Sequence, residues 1–186
     1  MPQIDRIKHA LQPSLRRLIE DASLPSYSEG VIDQATSDRI PDVVLKCGFS
    51  GKLAESGLWL LANDLDRSHV ISQDHASADG SFWHGIMHRR EGDFGNAKYW
   101  FRRVGRHDVH DNLAAELPSL LGESDSELAD FLASAGAFAE ALVDACSELA
   151  SGKRSWKNGL ERVCWYEWQG LFDYCLNIDT EDTSIA

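Results

Sequence analysis

Cationic residues are scarce in this sequence: 18 Lys and Arg stand against 30 Asp and Glu, a formal net charge of −12. So acidic a chain lacks the basic surface that nucleic-acid binding requires, which excludes nucleic acid as a general partner. It also lacks any apolar run near the roughly 18 residues of a membrane span. Charges run throughout Met1 to Glu20, where a secretory signal would carry an apolar block. The expectation is a cytoplasmic protein with no membrane role. Cys47, Cys146, Cys164 and Cys175 form no CxxC pair, which argues against a zinc knuckle. They read instead as reduced thiols that pack as small apolar groups. HExxH, a Gly-x-Ser-x-Gly elbow, a Walker loop and GxGxxG are all missing. Their absence removes the usual devices of zinc proteolysis, acyl transfer and nucleotide binding.

What is present is enough apolar material for a core: 43% of 186 residues are hydrophobic, with six Trp and seven Phe. That length suits one domain, 1–186. Strand signals are few, with Val43-Val44-Leu45 the short candidate. Helical spacing recurs. Ile4, Ile7, Leu11, Leu15, Leu18 and Ile19 predict a first helix, with Pro13 marking a kink or break. Residues 23–42, rich in Ser and Asp and holding Pro25, Gly30 and Pro41, read as a loop. A second helix is expected over Leu53–Ser72, then a polar connector over 73–80. Two short helices follow, 81–91 and 94–104, split by Gly92-Asp93, with Asp93 as N-cap and Gly105 as stop. Further helices are expected over 109–121, 126–135, 137–150 and 156–178, before a frayed tail at 179–186. The fold class is all-α, a compact bundle of about seven or eight helices with short connections.

Gly92-Asp93-Phe94-Gly95-Asn96-Ala97, followed by Phe101 and Val104 and preceded by Gly85, resembles the tetratricopeptide repeat. The resemblance covers about 25 residues and implies a helix-turn-helix unit whose small residues let two helices approach closely. No second copy follows at the repeat's period of about 34 residues. His84 and His88 stand where the family has apolar or aromatic residues. Ser81 to Arg103 is also similar to an uncharacterised bacterial family, which brings no activity with it. Charge is uneven around this unit. Arg89–Arg106 holds six basic and two acidic residues, whereas His107–Gly152 holds ten acidic residues and no Lys or Arg. Pairing between the two segments is the plain reading. Arg89, Arg90, Arg102 and Arg103 could alternatively hold a small anionic ligand through their forked donors.

Six of the seven histidines fall within the 42 residues from His69 to His110. His84, His88 and Glu91, spaced i, i+4, i+7, lie within roughly 60° on one helix face. Two imidazoles and a carboxylate suit zinc, iron or manganese. His69 extends the stripe of Leu61 and Leu65 and points inward, with Asp66 near enough to orient its ring or to ligate. Arg90 and Glu167 sit on apolar sides of their helices, which suggests that they pair with each other.

Three functions compete on this reading. The first is a helical interaction module whose groove holds a protein partner. The second is a metal-dependent hydrolase or oxygenase using His84, His88 and Glu91, with His69 and Asp66. The third is a binder of small anions. Beside them stands a purely structural role for Asp66, His69, His84, His88, Arg90 and Glu91 as a buried polar network. In that case substituting one costs about 1–3 kcal/mol of stability.

Overall fold

The computed structural model describes residues 4–23, 27–49, 52–134 and 136–181. Every regular element among them is helical. Proline sets the first boundaries. Pro13 opens α1 (Pro13–Asp21) at its first turn, where the missing N–H costs nothing. Residues 4–12, expected to continue that helix, run instead as an irregular strap. Leu15, Leu18 and Ile19 of α1 are buried.

The stretch read as a loop holds α2 (Gln34–Ser37), and α3 (Ile40–Cys47) begins inside it. Asp33 caps α2, accepting from the Thr36 amide at 3.2 Å and its hydroxyl at 2.8 Å. Pro41 lies in the first turn of α3 and so starts a helix rather than breaking one. Val43 and Val44, the strand candidate, are buried helical residues. The expected helix over 53–72 is two, α4 (Leu53–Leu61) and α5 (Leu65–Asp74). Asn63 turns left-handed at φ 60°, and Asp64 caps α5 through the Arg67 amide at 3.2 Å. Asn tolerates that conformation better than most residues do.

Next comes α6 (Ala78–Glu91), whose residues from Gly80 to Arg90 are all buried. It is the central helix, and α7 (Phe94–Val104) folds back against it through left-handed Gly92 and the Asp93 cap. A Cβ on Gly85 would stand 3.1 Å from the Phe101 ring, so the hairpin closes tightly there. Four helices complete the bundle: α8 (Asp108–Leu121), α9 (Ser126–Ala133), α10 (Phe138–Ala150) and α11 (Lys157–Glu181). Helix α11 runs on past 178, through positions expected to fray, and residues 182–186 of that tail lie outside the described residues. Where α4, α6 and α11 meet, Gly57 accepts from Trp168 Nε1 at 2.8 Å and leaves no room for a Cβ beside Trp83. Trp165, Trp168 and Phe172 stack in sequence along α11. No helix among the described residues is long and apolar enough to cross a membrane.

Candidate metal centre

Helices α5 and α6 bring His69, His84 and His88 together. One ring nitrogen from each lies within 4.8 Å of the other two. Ring centroids are 4.6 Å apart for His69 and His84, and 4.8 Å for His84 and His88. His84 and His88 are buried and His69 half-buried. The two α6 residues lie one turn apart, and the α4–α5 break sets α5 across α6 so that His69 faces them.

Hydrogen bonds assign the tautomers. Ser72 Oγ donates to the His69 carbonyl at 3.2 Å, so toward His84 Nδ1, 3.3 Å away, it accepts. His84 therefore carries its proton on Nδ1 and keeps the Nε2 lone pair. His88 Nδ1 donates to Glu91 Oε2 at 2.8 Å, and its Nε2 accepts from Asn96 Nδ2 at 3.1 Å. Burial, with His88 and His69 alongside, lowers the His84 pKa to about 4. His84 is thus neutral at physiological pH, with a lone pair to offer. Trp100 closes the far side, its ring centroid 4.0 Å from that of His84.

The other expected ligands fall elsewhere. Glu91 is exposed and orients His88, as a carboxylate behind a metal-bound imidazole does, instead of joining the trio. Asp66 is exposed on the first turn of α5 and is not among the grouped ligands. Its spacing from His69 was right, but that side of the face meets solvent. Ser72, Asn96 and Trp100 were missed. Asn96 and Trp100 stand one turn apart on α7, a spacing that was readable once α7 was known to cover α6.

The four arginines do not converge on one ligand. Arg89 makes a two-pronged ion pair with Glu167, replacing the expected Arg90–Glu167 pair. Glu167 Oε1 also receives His110 Nε2 at 2.9 Å. Burial works against a carboxylate, but Arg89 and His110 outweigh it and hold Glu167 at about 2. Arg90 donates to the Leu60 carbonyl at 2.6 Å and to Asn63 Oδ1, both neutral. Arg102 binds Glu140 with two bonds, and Arg103 lies over the Trp100 ring. Lys98 meets Asp144 at 2.6 Å, so α7 pairs with the acidic α10 as the charge pattern suggested. No family model, no curated protein and no solved structure matches this chain.

Proposed function

We propose that the chain is a helical ligand-binding module whose ligand is a divalent transition metal, held by His69, His84 and His88. The observation that carries this is the gathering of three imidazoles, with Ser72 and Glu91 meeting the Nδ1 atoms of His84 and His88, and with Asn96 the one group a metal would displace, from His88 Nε2. With Asp66 and Glu91 outside, the donors are all nitrogen. Imidazole suits zinc, and also iron, over manganese, which favours oxygen ligands. Zinc sits about 2.0–2.1 Å from each nitrogen, so tetrahedral partners lie about 3.3 Å apart. The trio, spread over as much as 4.8 Å, must close by about 1.5 Å. His69, half-buried on the short α5, is the member with room to move.

Three protein ligands leave a fourth position for water, the arrangement that activates water in hydrolases. Yet the cavities beside α8, α9 and α6 are lined by other residues and not by the trio. That favours a metal which ties α5 to α6 over one that meets a substrate. The close Gly85–Phe101 approach supports reading α6–α7 as a tetratricopeptide-like unit adapted to carry imidazoles.

Zinc titration by calorimetry, on protein stripped of metal, tests the proposal. One zinc per chain with a raised Tm is expected, lost in the His84→Ala, His88→Ala double variant. Because that variant removes buried groups, the half-exposed His69→Gln is the second arm, with a retained fold and weakened zinc binding. A wild type whose Tm ignores zinc would overturn the reading.

A further inference from the structure

A cavity of about 310 Å³ opens between α8, α11 and the strap. Helical spacing accounts for its lining. Asp108, Val109, Asn112, Leu113 and Glu116 share one face of α8, and Tyr166, Gly170, Asp173 and Tyr174 share one face of α11. Val109 and Leu113 are buried and form an apolar floor. Gly170 lets α11 approach that floor, since a Cβ there would stand 3.1 Å from Val109 Cγ1. The strap contributes Arg6 and Lys8.

Most of the charges on this lining are already answered. Arg6 pairs with Glu116 and lies over the Tyr166 ring. Asp173 accepts the Lys8 and His9 amides. The Lys8 ammonium and the Asp108 carboxylate remain. Both residues are exposed, and among the described residues neither has an ion-pair partner, not even the other. Arg106, which acts on Asp108 at longer range, makes its own ion pair with Asp111 at 2.6 Å. A free cation and a free anion on one lining match a ligand that carries both charges. A net anion would be repelled, because the lining holds three carboxylates against two cations, and a simple amine would leave Lys8 unanswered. Burial, with Asp79 and Asp108 in reach, pushes the Tyr174 pKa up, so its hydroxyl keeps its proton and can donate. The volume lies at the small end of ligand pockets, which run from about 300 to 1,000 Å³, and so suits a single residue rather than a peptide.

We infer that this cavity binds a free α-amino acid, its ammonium group at Asp108, its carboxylate at Lys8 and an apolar side chain on Val109 and Leu113. The site is separate from the imidazole trio and does not depend on a metal there. L-leucine and L-phenylalanine are each titrated into the full chain by calorimetry, beside their N-acetyl and amide derivatives, which lack the ammonium and the carboxylate in turn. One amino acid bound per chain is expected, with Tm raised by about 4 °C at ten times its Kd. Either derivative of the amino acid that binds should be weaker by about tenfold or more. Lys8→Gln and Asp108→Asn, both at exposed positions, should keep the fold and each weaken binding by about tenfold. If neither amino acid binds, the inference is overturned. Derivatives that bind as tightly as the parent, or an unchanged affinity in either variant, overturn it too.

Discussion

Arg89 and Glu167 join α6 to α11 by a two-pronged ion pair sealed from solvent, with side-chain exposures of 1% and 0%. His110 of α8 shares the same carboxylate, so three helices meet on one charge. Such a pair adds little net stability over an apolar core, but breaking it on one side strands a buried charge.

Glu167→Gln is therefore expected to cost about 3–5 kcal/mol, read from urea unfolding. Adding Arg89→Met should recover much of that loss. A double variant no more stable than the single one would show that the stranded guanidinium is not the source of the damage.

Stability should also depend on pH through His84. Its folded pKa of about 4 lies below the ordinary 6.5. Between those values the unfolded chain binds a proton that the folded chain refuses. Stability is then full above pH 6.5 and falls toward pH 4, by on the order of 2 kcal/mol. His110, pushed down chiefly by burial, adds a slope of the same sign. His84→Gln should flatten the profile in part, and a variant profile parallel to wild type would count against this assignment.

Asn96 occupies the His88 lone pair that a metal would take. Asn96→Ala should lower metal-free stability by about 1 kcal/mol. The same change should tighten zinc binding, because zinc no longer displaces the amide. Unchanged zinc affinity in calorimetry would show that the amide does not compete.

Gly80 lies against the carbonyl of His75, where an added Cβ would come within 2.2 Å of the oxygen. Backbone cannot swing aside as a side chain does. Gly80→Ala should cost about 2–3 kcal/mol despite alanine's better helix propensity, as thermal unfolding can measure.

The helices from α7 to α11 were legible because each keeps an apolar stripe, or a cap such as Asp93, at its ends. The earlier boundaries misled. Pro13 and Pro41 read as breakers, yet both lie in first turns, which sequence spacing alone does not distinguish from interior positions. Asn63 and the capping Asp64 do mark a break, but they sit between Leu61 and Leu65, whose four-residue spacing reads as one continuous stripe, so α4 and α5 merged into one helix. Buried on every side, α6 has no polar face to set a period, which is how Arg89 and Arg90 exchanged partners in the sequence reading. His84 and His88 were found by spacing. Glu91 shares that face but meets the trio only through His88 Nδ1, since spacing fixes a shared face and not the distance from its centre.

The strap of residues 4–12 has a consequence for how the molecule is made. Its amides at Lys8 and His9 both donate to Asp173 at 2.9 Å, across more than 160 residues of chain. During synthesis the strap has no seat until α11, far along the chain, has also been made. Removing α11 would take away the Asp173 and Gln169 side chains that hold the strap's amides, so the strap and α11 settle together.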